Sequence, residues 1–109
     1  MAYTVISQSS LTLSGSLQTI GSAVTAGKLT VCQLDLSNLV NGDEIEFAAY
    51  NKTKSDGSEI EVYNVHASDV QYCPVIQTPA FWAPYSITFK ALQTAGSAKS
   101  VTYLIFTID

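Results

Sequence analysis

The last ten residues, Ser100-Val-Thr-Tyr-Leu-Ile-Phe-Thr-Ile-Asp109, decide the fold. Successive side chains of an extended chain point to opposite faces. One face therefore carries Val101, Tyr103 and Ile105, and the other carries Thr102, Leu104, Phe106 and Ile108. Both faces are largely apolar, which is typical of a strand that is covered on both sides. We expect this strand to lie centrally in a sheet and to pack against a second sheet or a partner subunit.

Shorter stretches with the same alternation precede it. Lys28 to Leu36 is predicted as a strand, with Cys32, Leu34 and Leu36 on one face and Leu29 and Val31 on the other. Glu44 to Tyr50 is predicted to turn Ile45, Phe47 and Ala49 inward. A polar loop over residues 51–58 then leads into a returning strand, Glu59 to Val65. We expect Phe47 to pair with Val62 and Ala49 with Ile60, because this register places the apolar residues on one face.

The remaining segments are predicted from the same kind of evidence. Leu17 to Ile20 is expected to be a short strand followed by a loop or hairpin tip over residues 21–27, and Val70 to Ile76 another strand. About eight short strands at a spacing of roughly 8–12 residues, without an amphipathic helix, indicate an all-β fold. We expect a single antiparallel β-sandwich or jelly roll. Residues 1–10 would form an N-terminal strand or arm, and residues 11–109 the β-sandwich domain.

Charge composition excludes several classes of function. Only 13% of the 109 residues are charged, the net charge is −4, and all five cations are lysines. Nucleic-acid binding usually needs clustered arginine and lysine, so we expect none. The N-terminal residues lack the pattern of a signal peptide, and no stretch approaches the ~20 apolar residues of a membrane span. We expect a protein that is made in a cytoplasm and stays soluble, with an outer surface that neighbouring molecules partly cover.

Residues suited to catalysis or metal binding are few. The densest acidic group consists of Glu44, Glu46, Glu59 and Glu61, and the single histidine is His66, expected in a turn. Glu46 and Glu61 are expected to be near neighbours on the exposed face, where they could act as a carboxylate pair or bind calcium. We favour the simpler interpretation that these are solvated charges, which keep the sheet face wet and discourage edge pairing. Cys32 and Cys73 are too few for a four-ligand zinc site and are expected to be free, mostly buried thiols, with one bridge between strands as the alternative if the two positions face each other. We therefore expect no catalytic residues, no metal and no cofactor.

An aromatic loop is the strongest binding signal. Phe81, Trp82 and Tyr85 lie in a segment that Pro79 and Pro84 stiffen. At least one ring is expected to plug the end of the sandwich. The others could anchor a protein partner, since Trp and Tyr dominate interface hot spots, or could stack on a sugar.

Two segments carry a resemblance to a known group of proteins. They are Asp35-Leu-Ser-Asn-Leu-Val-Asn-Gly-Asp-Glu-Ile-Glu-Phe47 and Tyr85-Ser-Ile-Thr-Phe-Lys-Ala-Leu-Gln-Thr-Ala-Gly96. The chain resembles small virion proteins of tailed bacteriophages over roughly its last three quarters. The resemblance implies a small β-sandwich that decorates or cements a capsid, with no catalytic residues.

The expected function is therefore structural. The chain would be a non-enzymatic capsid decoration protein, located in the virion. Its partners would be the major capsid protein and copies of itself, as a dimer or trimer. The expected contact residues are Tyr3, Val5, Phe81, Trp82, Tyr85 and Tyr103. The alternative is a carbohydrate-binding or tail-associated module that uses Phe81, Trp82 and Tyr85.

Overall fold

Nine β-strands form the described part of the chain, residues 2–25 and 27–108 of a computed structural model. They are β1 (Tyr3–Thr12), β2 (Gln18–Thr25), β3 (Lys28–Asp35), β4 (Glu44–Asn51), β5 (Ile60–Ser68), β6 (Val75–Gln77), β7 (Phe81–Ala83), β8 (Ser86–Ala95) and β9 (Ser100–Ile108). These residues contain no helix, which confirms the all-β prediction. Met1, Ala26 and Asp109, which belong to the predicted first segment, a predicted loop and the predicted last strand, lie outside the described residues.

The strands form two antiparallel sheets with the strand order of a jelly roll. The first sheet has the order β1-β9-β3-β6, and β7 pairs with the other half of β3. The second sheet has the order β2-β8-β4-β5. If β6 and β7 are taken as one interrupted strand, the chain crosses between the sheets at every connection except β4 to β5, and each sheet has four strands. We expected a β-sandwich or a jelly roll, and this strand order is that of a jelly roll.

The core lies between the inward faces of the two sheets. Phe47 on β4 stacks on Phe89 on β8, with ring centroids 6.2 Å apart. The predicted inward residues Ile45, Phe47 and Ala49 are all fully buried, as are Cys32 and Leu34. Burial of these side chains supplies the main force that joins the sheets.

The C-terminal strand lies inside its sheet, between β1 and β3, as predicted. Its inward residues Val101, Tyr103 and Ile105 are buried against the second sheet. On its other face, Leu104, Phe106 and Ile108 are only partly buried. No other strand among the described residues covers that face. The expectation that both faces of this strand are covered is therefore confirmed for the inward face. Within one chain, the outward face stays partly open.

Two predicted strand boundaries are wrong, and the segment predicted as an aromatic loop contains the short strand β7, which pairs with β3. The second strand does not end at Ile20, since β2 continues to Thr25 across an irregularity between Ile20 and Val24. Gly21 has a φ of +63°, and a Cβ there would lie 2.7 Å from the Ser7 hydroxyl, so only glycine fits this bend. The strand predicted from Val70 forms only from Val75, because the preceding residues are a loop in which Asp69 has a φ of +64°.

The predicted register of β4 and β5 is also wrong. Phe47 pairs with Val65 and Ala49 with Tyr63, and an irregularity follows Ala49. Ile60 and Val62, which were expected to point inward, are about half exposed. Tyr63, Val65 and Ala67 of β5 pack on the core, so alternation turns Val62 away from it, and Val62 is also the extra residue at the irregularity between Ala49 and Tyr50.

Both cysteines are free, but only one is buried. Cys32 is fully buried, and burial raises the pKa of its thiol to about 12. Cys73 is exposed in the loop before β6. The expectation of free thiols is confirmed, and the expectation that they are mostly buried holds for Cys32 alone.

Candidate interaction surface

The outward face of the first sheet carries a row of four apolar side chains, one from each neighbouring strand. On neighbouring strands, Tyr3 of β1 is paired with Ile108 of β9, Ile108 with Leu29 of β3, and Leu29 with Trp82 of β7. The adjacent row consists of Val5, Phe106 and Val31. We call these seven residues the apolar patch.

Much of the apolar patch is open to solvent. Tyr3 is 66% exposed, Trp82 56%, Val5 45% and Leu29 38%. The Tyr3 ring meets Phe106 edge-on, with centroids 5.7 Å apart. Large apolar side chains that are exposed together on one rigid face mark an interaction site more strongly than scattered ones.

The same face becomes polar further along the strands. The next row consists of Gln8, Leu104, Gln33 and Gln77, and it is followed by Ser10, Thr102, Asp35 and Val75. The amide of Gln33 donates to Gln77 Oε1 at 2.6 Å. We call Gln8, Gln33 and Gln77 the amide row.

Two adjoining depressions lie where the apolar patch meets the amide row. One, of about 230 Å³, is lined by Tyr3, Phe106, Leu104 and Gln33. The other, of about 170 Å³, shares Leu104 and Gln33 and extends to Gln8, Asp35, Val75, Thr102 and Tyr103. Together they form one shallow groove that is apolar at one end and rich in amides at the other.

The groove has one ionised side chain, at its polar end. The Ser37 hydroxyl donates to Asp35, and the Ser37 backbone N–H donates to Asp35 Oδ1 at 2.9 Å. These hydrogen bonds lower the pKa of the Asp35 carboxyl. Asp35 is therefore a carboxylate at neutral pH and can accept hydrogen bonds from a ligand.

The two outward faces of the sandwich differ sharply in charge. Among the four rows of the first sheet, Asp35 is the only charged residue. The outward face of the second sheet carries Glu46, Lys90 and Glu61, and Lys90 lies 4.8 Å from the centre of the Tyr50 ring. Charged side chains keep a sheet face solvated and oppose association. The outward face of the second sheet is therefore suited to contact with water, and that of the first sheet to contact with another molecule.

The acidic group is held by local partners on the second sheet. Asn64 Nδ2 donates to Glu46 Oε1 at 2.7 Å and also to Glu61. Glu59 accepts from the Thr88 hydroxyl at 2.8 Å and pairs with Lys90 at 3.1 Å, and these contacts lower its pKa. Glu46 and Glu61 are near neighbours, as predicted, although Asn64 and not direct strand pairing brings them together.

His66 and the metal ligands require a further correction. His66 was expected in a turn, but it lies in β5 opposite Glu46. Within residues 2–25 and 27–108, no three side chains of His, Cys, Asp or Glu are grouped so that they could hold a metal ion. Over the same residues, no helix has the length and apolar character needed to cross a membrane.

Three of the six predicted contact residues belong to the apolar patch. Tyr3, Val5 and Trp82 lie on it, and Tyr85, just after β7, is 44% exposed. Phe81 points the other way and packs on the core, with its ring 5.8 Å from Tyr63. It is the ring of the aromatic segment that closes the sandwich. Tyr103 is buried on the inward face of β9.

Four patch residues were not among the predicted contacts, namely Leu29, Val31, Phe106 and Ile108. Alternation in the sequence already placed each of them on one face of its strand. What the sequence did not show was that β9 and β3 are neighbours and that β7 extends the row.

No known protein family, curated protein or solved structure matches this chain.

Proposed function

We propose that the chain is a non-enzymatic structural protein of a virus particle that decorates and stabilises an assembled capsid. The observation that carries the proposal is the uncharged row Tyr3-Ile108-Leu29-Trp82, which places the N-terminal strand and the aromatic segment on one face of the first sheet. Both segments were expected to contact a partner, and they are about 80 residues apart in the sequence. The resemblance to small phage virion proteins supports the proposal that this partner is the capsid shell.

The apolar patch is suited to binding a large, flat surface. Burying the exposed parts of Tyr3 and Trp82 removes on the order of 200 Å² from water, about 5 kcal/mol before the costs of association. The sheet holds these side chains on regular strands, so little backbone ordering is needed on binding. The low charge of the face avoids the desolvation of ionised groups.

Stabilisation of the shell would follow from mass action. A protein that binds the assembled lattice and not the separate subunits shifts the equilibrium toward the lattice. Many copies each add buried area, and the sum resists the outward pressure of packaged DNA. No bond is made or broken, so the role requires no catalytic residue.

Substitution of Trp82 tests this proposal. Trp82→Ala should weaken binding to emptied, expanded heads by about thirtyfold, since a tryptophan that is buried in an interface contributes about 2 kcal/mol. Co-sedimentation of purified protein with heads of the virus that encodes the chain measures the affinity. Tyr72→Ala is the matched control, because Tyr72 is fully exposed in the loop before β6, away from the patch. Equal binding by Trp82→Ala and wild type would contradict the use of this face, and no binding by wild type would contradict the decoration role.

A glycan-binding role is the second candidate, and the groove favours it. Its amide groups can both donate to and accept from sugar hydroxyls, and the Tyr3 and Phe106 rings offer apolar surface beside them. No cationic side chain lines either depression, so a neutral, hydroxyl-rich ligand suits it better than a phosphate. The candidate uses this groove and not Phe81, whose ring packs on the core.

Gln33 is the residue to change for the glycan role, because it lines both depressions. Gln33→Met keeps the approximate shape and removes the amide, so glycan binding on an array should fall at least about tenfold. Glu61→Gln on the opposite sheet serves as the control and should bind like wild type. Absence of binding to any glycan by wild-type protein would dismiss this candidate.

A further inference from the structure

The sandwich has four sheet edges, and three of them carry features that block strand addition. The β5 edge carries the charged Glu61 and is irregular beside Ala49. The β2 edge is bent between Ile20 and Val24. The opposite edge of the first sheet consists of the three-residue strands β6 and β7, with prolines in the segments beside them. Charges, irregularities, short strands and prolines are the usual means by which proteins protect edges.

The fourth edge, β1, lacks most of these features. Its ten residues, YTVISQSSLT, contain no charge and no proline. A single irregularity lies between Val5 and Ser7, and Ser7 to Thr12 then pair with β9 without interruption. Among the described residues, β9 is the only strand that pairs with β1. A long, uncharged edge of this kind is a template for another strand.

The direction of the backbone groups shows which residues are available. The Leu13 N–H donates to the Lys99 carbonyl at 2.9 Å, in register with the β1–β9 ladder. Because antiparallel strands alternate, the backbone groups of Ser9 then face β9, and those of Gln8 and Ser10 face away from it. The position of Thr12 agrees, since its carbonyl accepts from the side chain of Gln18 and not from β9.

We propose that β1 pairs antiparallel with β1 of a second copy of this chain, about a two-fold axis near Ser9. Gln8 of each copy would exchange backbone hydrogen bonds with Ser10 of the other. An uncharged strand suits its own copy, since no like charges are brought opposite each other. A charged partner strand would gain no ion pair along this edge.

The symmetry of this dimer would increase its affinity for a capsid, an argument that rests on the proposed function. The two-fold axis of an antiparallel strand pair is perpendicular to the sheet, so the two first sheets become one continuous sheet. Their outward faces then point in the same direction, and the dimer presents two apolar patches to one surface. Two linked contacts bind a lattice more tightly than one, because the second contact is intramolecular.

Replacement of Ser10 by proline tests the dimer. Ser10→Pro removes an N–H that faces away from β9, so the fold is kept while pairing is blocked. Sedimentation equilibrium at about 100 µM should give twice the 11.7 kDa chain mass for wild type and the single mass for Ser10→Pro. Ser10→Ala is the matched control, since it loses only the 3.1 Å hydroxyl contact with Thr102 and should remain a dimer.

A second pair of variants tests the dimer even if Ser10→Pro fails to fold. Gln8→Lys places two cations near the two-fold axis and should give the monomer mass, whereas Thr102→Lys in the interior strand β9 should leave the dimer intact. A monomeric wild type, or a folded Gln8→Lys that keeps the dimer mass, would overturn the inference. Trp82→Ala should stay dimeric and bind heads more weakly than wild type. A wild-type dimer that ignores heads would therefore contradict the decoration role and leave the dimer standing.

Discussion

Phe47→Ala should lower the free energy of unfolding by about 3–5 kcal/mol. Phe47 is fully buried in the middle of β4. Its ring stacks on Phe89 at 6.2 Å and meets Tyr63 edge-on at 6.4 Å, so it joins three strands of the second sheet. Truncation would remove these contacts and leave a cavity that the rigid strands cannot close. Denaturation by urea, followed by circular dichroism, measures the loss.

Tyr72→Ala provides the comparison for this experiment. Tyr72 has the same ring size plus a hydroxyl and is fully exposed, so its truncation should change stability by less than about 0.5 kcal/mol. A loss below about 1 kcal/mol for Phe47→Ala would show that the two sheets do not pack as described.

Gly96→Ala should destabilise the protein by at least about 3 kcal/mol, through strain and a clash together. Gly96 has a φ of +88°, and an added Cβ would lie 2.0 Å from Asp43 Oδ1 and 2.9 Å from Asp43 Cα. Asp43 cannot move aside easily. Its carboxylate accepts from the Val40 N–H at 2.9 Å and pairs with Lys99 at 3.1 Å, and these contacts lower its pKa.

Gly42→Ala separates the two causes. Gly42 has a similar φ of +98°, and an added Cβ would meet nothing within 4 Å. This control should lose only the roughly 1–2 kcal/mol of the left-handed backbone. Thermal unfolding of both variants measures the difference, which is assigned to the contact with Asp43. Equal losses in the two variants would mean that the loop after β8 can move away from Asp43.

The fold class was predictable because it depends on local pattern. The alternation in Glu44 to Tyr50 predicted the burial of Ile45, Phe47 and Ala49, and the two apolar faces of Ser100 to Asp109 predicted an interior strand. Both follow from the two-residue period of an extended chain. The register of β4 and β5 was not predictable in this way, because an irregularity after Ala49 shifts one half of β5 relative to the other.

The candidate surface also separates what local sequence pattern predicts from what only the tertiary structure shows. Alternation assigned Leu29 and Ile108 to a face of their own strands, and composition indicated that part of the surface is covered. Only the tertiary structure placed Tyr3, Ile108, Leu29 and Trp82 in one row. The sequence by itself determined which residues alternate and hence that the chain builds sheets with apolar faces. The pairing of distant strands decided which of those faces became a patch, because neighbours in a sheet are chosen by packing of the whole core and not by any local pattern.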